Sequence, residues 1–140
     1  MTGYPIGEIA KRADVKVPTI RYYEQIGLLP APPRSRANRR IYADSDLQRL
    51  RFIRHARELG FEVEAIRTLL TLQDDPNQPC DTADAIAQAR LVDVEQRIHG
   101  LAALKAELEL MVQNCRRGHA GDCRVIEVLA DHGKCAHHRH

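Results

Sequence analysis

The residues of this chain with the most specific chemistry are its four cysteines. Two of them, Cys115 and Cys123, are separated by seven residues that include two glycines. Thiols that close on a short glycine-containing loop are typical of a metal site, and a thiol–disulfide redox pair is the alternative. The cysteines are too dispersed to favour an iron–sulfur cluster. The other two are Cys80 and Cys135.

The type of ligand limits the choice of metal. Thiolates select Zn(II), Cd(II), Hg(II), Pb(II) or Cu(I). Two thiolates satisfy Cu(I), whereas a third from Cys80 favours a divalent ion in three- or four-coordinate geometry. His119, inside the loop, is either a further ligand or an exposed loop histidine. Cys135 and the tail histidines are either an auxiliary site or a disordered end.

A long helix is predicted between these cysteines, over residues 82–114, with Thr82 as its N-cap. Eight positions that recur in alternating steps of four and three are apolar in seven cases, which is the pattern of a coiled coil. The eight positions, called the seam below, are Ala87, Leu91, Val94, Ile98, Leu101, Lys105, Leu108 and Val112. Cys80 and Cys115 flank this helix and would lie roughly 50 Å apart along it. A metal that binds both therefore requires an antiparallel second chain.

Charge divides the chain unevenly. Residues 1–60 contain 12 Lys/Arg and 6 Asp/Glu, a net charge of +6, and residues 61–140 carry −4. A basic first half indicates a polyanionic partner. Few aromatic residues, 4% of the chain, favour a helical protein. No apolar run is long enough to span a membrane and no signal peptide is recognisable, so a cytoplasmic protein is expected.

The basic half begins with two short helices across a tight turn, a helix-turn-helix pattern. The first helix covers Ile6–Ala13, and the second begins at Val17 and ends before Gly27. Four side chains at the second helix are of types that bind phosphates or base edges, so we predict that they contact DNA. They are Lys16, Thr19, Arg21 and Tyr22. A core role for the Tyr22–Tyr23 pair is the alternative.

Residues 30–42, called the arginine loop below, contain four arginines among turn-forming residues, and residues 40–42 could form a short strand. The pattern predicts a wing that grips the DNA backbone, with a solvated loop as the alternative. A third helix is predicted over residues 46–59, capped by Ser45 or Asp44. A fourth is predicted over residues 62–72, and a short one over residues 125–129.

Together these motifs resemble the MerR family of bacterial transcriptional regulators, in its metal-sensing branch. The resemblance is carried by TIRYYEQIGLL, PPRSRANRRIY and SDLQRLRFIRHARELGF, and by the cysteines around the long helix. It implies a homodimer that binds an over-long promoter spacer and distorts it for RNA polymerase when an inducer binds. It also implies DNA contacts from Arg34, Arg40, Tyr42 and Arg54. Asn38 and Arg39 depart from the family, which commonly has a glycine and an aromatic residue there.

The sequence thus predicts a mostly α fold, with a winged helix-turn-helix head, an antiparallel coiled-coil helix and a C-terminal metal loop. The predicted segments are a head (1–72), a linker (73–81), a dimerisation helix (82–114), a metal loop with a short helix (115–129) and a tail (130–140). The predicted ligands are Cys80, Cys115, His119 and Cys123, for Zn(II), Cd(II) or Pb(II), with Hg(II) possible. A Cu(I) or redox sensor that uses only Cys115 and Cys123 is the alternative. A metal-buffering protein is a third hypothesis, and an enzyme is not expected.

Overall fold

The structure, a computed structural model, describes residues 3–114 and 123–131. The described residues form six helices: α1 Ile6–Ala13, α2 Val17–Gln25, α3 Asp44–Glu58, α4 Val63–Asp74, α5 Asp81–Asn114 and α6 Arg124–Ala130. The chain divides into two compact units, Met1–Ile86 and Ala87–His140, so that the boundary falls within α5. None of the described helices is long and apolar enough to cross a membrane.

The predicted helix-turn-helix is present as α1 and α2. The turn between them contains Asp14 in a left-handed conformation, with φ 55°, and its backbone N–H returns to carbonyl groups of α1. Pro18 lies in the first turn of α2, where its missing N–H costs no hydrogen bond. Gly27, with φ 80°, follows the end of α2 and turns the chain away, as the sequence predicted.

The predicted cap of α3 is wrong. The helix begins at Asp44, so neither Asp44 nor Ser45 precedes it, and Ala43 occupies the N-cap position. The Asp46 carboxylate accepts a hydrogen bond of 2.8 Å from the backbone N–H of Ala43, which is the half of a capping box that the third helical residue contributes. α4 begins one residue later than predicted and ends two residues later, at Asp74.

One apolar core unites helices α1 to α4, and these helices with the loops between them are called the head below. α1 packs on α2 and α3, and α3 packs on α4. Leu47, Leu50 and Ile53 of α3 are buried, as are Ile66 and Leu70 of α4. The apolar α1 residues Ile9, Ala10 and Ala13 join the same core. Burial of these apolar side chains stabilises the packing of the helices that carry α2.

The arginine loop is held by two isolated antiparallel bridges rather than by the strand predicted for residues 40–42. One bridge joins Arg34 to Arg40 within the loop, and the other joins Tyr42 to Tyr4 near the N-terminus. Asn38 turns the loop with φ 59°. Asparagine tolerates a positive φ better than most residues, so the turn forms although the glycine common in the family is absent.

α5 is 34 residues long and begins at Asp81, so the prediction that Thr82 is its N-cap is wrong. The carbonyl of Cys80 accepts the Asp84 N–H at 2.9 Å, which gives Cys80 the cap position. Seam residues of α5 remain exposed in the single chain, including Ile98 (61%), Leu101 (64%) and Val112 (66%).

In the second unit, α6 contributes Val128 and Val125 to a small apolar cluster with Met111 of α5. The predicted short helix is thus present and is one residue longer at each end. Two other apolar residues of α6, Ile126 and Leu129, are exposed.

Candidate DNA-binding surface and metal ligands

The outer face of α2 carries the side chains that the sequence predicted to contact DNA. Arg21 and Tyr22 are exposed, Lys16 at the N-cap is exposed, and Thr19 is half-buried. Tyr23, in contrast, is buried in the head core. The tyrosine pair is therefore divided between the core and the surface, because successive side chains of a helix point about 100° apart.

A cavity of about 420 Å³ brings Arg21 of α2 together with the arginine loop. Its other charged residues are Arg34, Arg39 and Arg40, and Pro5 and Ile6 at the start of α1 complete its wall. Four guanidinium groups around one concave surface produce a strongly positive field, which suits a phosphate backbone. Arg39, which the sequence analysis noted only as a departure from the family pattern, belongs to this group.

A second cavity, of about 380 Å³, combines the start of α2 with the end of α3. It is lined by Lys16 and Thr19, and by Arg54 and Arg57 on the α3 side. The guanidinium of Arg54 forms ion pairs with Asp14 at 2.9 Å and Glu58 at 3.0 Å. Arg57 is a functional candidate that sequence reasoning missed, since its helical position alone did not distinguish it from a solvated arginine.

The structure does not fit a side-chain contact between Tyr42 and DNA. The ring is fully buried, and its hydroxyl donates a hydrogen bond of 2.8 Å to Glu24 Oε1. Burial, with the hydrogen bond to Glu24, raises the pKa of Tyr42 to about 12. The residue therefore anchors the arginine loop to α2, and we correct its predicted role from contact to support.

Glu24 is the residue of this surface that the sequence analysis left without a role. Its side chain is 7% exposed, and it pairs α2 with Arg40 of the arginine loop. Its second oxygen, Oε2, accepts a hydrogen bond of 2.7 Å from Arg40. A signal for this pairing was available in the sequence, because a glutamate within a helix of predicted DNA contacts is unexpected unless a cation pairs with it.

Two of the four predicted metal ligands can be placed. Cys80 is exposed and carries a free thiol. Cys123 is half-buried and is disulfide-bonded, so its sulfur would have to be reduced before it could bind an ion. Cys115 and His119 lie outside the described residues, as do the cysteine and histidines of the tail. Within 3–114 and 123–131, no cluster of three or more metal-binding side chains is formed.

The head and its basic surface define a helix-turn-helix DNA-binding protein, and sequence models of known families agree. The model described as MerR HTH family regulatory protein matches residues 4–73. A second model, described as MerR, DNA binding, matches residues 47–111. The chain belongs to the MerR family of transcription regulators.

Individual relatives match nearly the whole chain. The HTH-type transcriptional regulator ZntR of Escherichia coli (strain K12) is 43% identical over 129 residues, which cover 90% of this chain and 92% of ZntR. The crystal structure of the transcription regulator PbrR691 from Ralstonia metallidurans CH34, in complex with lead(II), has a TM-score of 0.78 and 38% identity. That match covers 90% of this chain and 98% of PbrR691.

A second solved structure, MerR from Bacillus megaterium MB1 in complex with mercury(II), has a TM-score of 0.69 and 27% identity. The match covers 91% of this chain and all of the MerR chain. These relatives confirm the predicted resemblance to the metal-responsive branch, and the helical fold predicted with it. They are transcription regulators, so the prediction that the protein is not an enzyme is also confirmed.

Proposed function

We propose that this protein is a homodimeric regulator that binds promoter DNA and activates transcription when it captures a soft or borderline divalent metal ion. The ion would be Zn(II), Cd(II) or Pb(II), with Hg(II) also compatible with thiolate ligands. The genes under its control would encode metal efflux or detoxification. The observation that carries the proposal is the combination of an arginine-lined surface on the head with an exposed Cys80 thiol at the start of the long helix.

DNA binding is supported by the two cavities on the head. Both are lined by residues of α2 together with cations from a second element, so a duplex could be contacted by the recognition helix and by neighbouring arginines at once. Contacts to phosphates would position the protein, and Arg21 or Thr19 would reach base edges. A distorted promoter spacer would then become usable by RNA polymerase.

Dimerisation is supported by the seam. Its apolar residues, except the half-buried Val94, are exposed in the single chain, and a groove of about 590 Å³ runs beside Leu101, Lys105, Leu108 and Val112. A copy of α5 would remove this apolar surface from water. In an antiparallel pair, the start of one α5 lies beside the end of the other. Cys80 of one subunit would therefore meet Cys115 and Cys123 of its partner.

The metal response is supported by the number of thiols and by the relatives that bind lead(II) and mercury(II). Cys80 would add a third thiolate, which favours a divalent ion over two-coordinate Cu(I). His119 would complete a four-coordinate site. The bound metal ion would connect the end of one chain to the head of the other and change the angle between the two heads on DNA.

A reporter fused to the promoter, titrated with Zn(II), Cd(II), Pb(II), Hg(II) and Cu(I), tests the proposal. We expect a divalent ion to activate the reporter at the lowest concentration, and Cys80→Ser to abolish that response. The matched control is Thr82→Ser, a conservative change two residues away that removes no thiol. Activation of Cys80→Ser at wild-type metal sensitivity would contradict the divalent site.

One observation favours a second candidate, a thiol-redox or Cu(I) regulator that uses only Cys115 and Cys123. Cys123 is disulfide-bonded in the structure, which supports a role for its sulfur in thiol redox chemistry. This candidate requires a response that survives Cys80→Ser and depends on Cu(I) or on the thiol redox state. The same reporter, titrated with Cu(I) and with a disulfide oxidant, separates the two.

A further inference from the structure

Both oxygens of the Glu24 carboxylate take part in hydrogen bonds that join α2 to the arginine loop. Oε2 accepts a hydrogen bond of 2.7 Å from Arg40 Nη1, and Oε1 accepts one of 2.8 Å from the Tyr42 hydroxyl. Arg40 and Tyr42 are two residues apart in an extended segment, so their side chains project from the same side of it. One acidic side chain of α2 is thus paired with two donors that lie 16 and 18 residues further along the chain.

The Glu24, Arg40 and Tyr42 contacts stabilise the position of the arginine loop, and the burial of Glu24 and Tyr42 does not suit contact with a ligand. The Glu24 side chain is 7% exposed, and the Tyr42 side chain is fully buried. A negatively charged group would also repel a phosphate backbone. Arg40, in contrast, is 36% exposed and lines the positive cavity, so that it can bind Glu24 and still face solvent.

The loop is fixed at a second point through its backbone. Tyr42 exchanges two hydrogen bonds of 2.8 Å with Tyr4, which precedes α1. This pairing fixes the end of the loop against the residues that precede α1. The contacts with Glu24 tie the same end of the loop to α2, and charge-assisted hydrogen bonds are directional, so they restrict the orientation of the loop relative to that helix.

We propose that Glu24 is a positioning residue that sets the distance between the outer face of α2 and the arginines of the arginine loop. It touches no DNA itself, and it holds Arg40, and through it the loop, at the spacing that a duplex requires. This inference rests on the proposed DNA-binding function. It assigns to a buried acidic residue a part in binding a polyanion.

The variant Glu24→Gln tests the inference through the sign of its effect. Glutamine keeps the size of the side chain but offers one acceptor and one donor group, so one of the two partner donors loses its acceptor. If charge alone mattered, the loss of a negative charge from a DNA-binding surface would strengthen binding. We expect binding to a duplex of the protein's own promoter to weaken roughly tenfold.

The salt dependence of binding separates positioning from a general loss of folded protein. A displaced arginine loop contacts fewer phosphates, so the slope of log K against log[salt] should become shallower by about 1. An unfolded fraction lowers the apparent affinity but leaves this slope unchanged. Weaker binding with a wild-type slope, or binding as tight as wild type, would overturn the inference.

The matched control is Glu8→Gln, which makes the same chemical change at an exposed glutamate of α1 whose only described ion pair, with Arg12, lies within that helix. It should bind the duplex at least as tightly as wild type. If Glu24→Gln does not fold, as judged by its thermal unfolding, Tyr42→Phe decides, because it removes a single hydroxyl. Weaker binding with a shallower slope supports the inference, and an unchanged slope overturns it.

Failure of the proposed function would be distinguishable. If the wild-type protein binds promoter and scrambled duplexes equally, the regulatory proposal is wrong. The slope measured on the scrambled duplex still tests Glu24, since phosphate contacts do not depend on sequence.

Discussion

The guanidinium of Arg54, in α3, lies 2.9 Å from the carboxylate of Asp14, in the turn between α1 and α2. A second carboxylate, that of Glu58, lies 3.0 Å from the same nitrogen. The arginine is therefore oriented before any ligand arrives, and it stands beside Lys16 and Thr19 in one cavity. A preoriented cation at this position loses little further side-chain freedom when it meets a phosphate.

Replacing Arg54 should weaken DNA binding more than it weakens the fold. Arg54→Gln should lower promoter affinity several-fold and reduce the salt slope by about 1, because one phosphate contact is lost. Its partly exposed ion pairs should contribute no more than about 1 kcal/mol to stability. Filter binding at several salt concentrations and a urea melt measure the two effects. A large loss of stability with an unchanged slope would show that Arg54 serves only the fold.

The turn of the arginine loop depends on the positive φ of Asn38. Asn38→Gly should retain the loop, since glycine adopts φ 59° without steric cost. Asn38→Val should lower the free energy of unfolding by about 1–2 kcal/mol, because a β-branched side chain clashes in the left-handed region. It should also weaken promoter binding, as Arg34 donates a hydrogen bond to the Asn38 carbonyl. Equal stability of the two variants in denaturant melts would contradict this reasoning.

Tyr42 should make the stability of the head depend on alkaline pH. Its pKa is about 12 in the folded protein, against about 10 for an unfolded tyrosine. Between these values the unfolded chain releases the phenol proton and the folded chain keeps it. The stabilisation is complete below about pH 10 and is lost as the pH rises toward about 12.

Denaturant melts across this alkaline window should show a shallower decline for Tyr42→Phe than for wild type. A smaller decline should remain in the variant, because the pKa values of Tyr4 and Tyr23 are also raised, by a hydrogen bond to Asp44 and by burial respectively. The variant also loses a hydrogen bond, which lowers its stability at every pH. The comparison is therefore made on the slope of the free energy of unfolding against pH, not on its absolute value. Identical slopes would place the Tyr42 hydroxyl in contact with water.

The seam should hold the dimer together. Leu101→Glu places a charge in the middle of the apolar stripe and should convert the dimer to monomer at micromolar concentration. Gln96→Glu makes the same addition at an exposed position outside the seam and should leave the dimer intact. Sedimentation equilibrium compares the two. A dimeric Leu101→Glu variant would mean that the chains associate through another surface.

The helices of this protein were predictable from its sequence because the residue patterns that define them are local. Helical periodicity, Pro18 and Gly27 define α1 and α2, and the alternating steps of the seam define α5. Helix starts were less predictable. Polar caps were expected at Asp44 or Ser45 and at Thr82, but α3 and α5 begin earlier, so Ala43 and Cys80 hold the cap positions.

The surface was predictable in its residue types but not in its architecture. Arginines near a helix-turn-helix indicated a polyanion, and Arg21 does lie beside the arginine loop. The roles of Tyr42 and Glu24 depend on a pairing across 18 residues, and no local pattern encodes that pairing. Tyrosine has both an apolar ring and a polar hydroxyl, so its sequence position alone could not distinguish support from contact.

The central claim is that each metal site is shared between two subunits, and a mixed dimer tests it most directly. One chain would carry Cys80→Ser, and the other would carry Cys115→Ser with Cys123→Ser. Neither homodimer should bind Cd(II) tightly, as judged by thiolate-to-metal charge-transfer absorbance. A purified mixed dimer should regain one site, formed by Cys80 of the second chain and the loop cysteines of the first. Absence of binding in the mixed dimer, with wild-type dimers binding normally, would contradict the shared site.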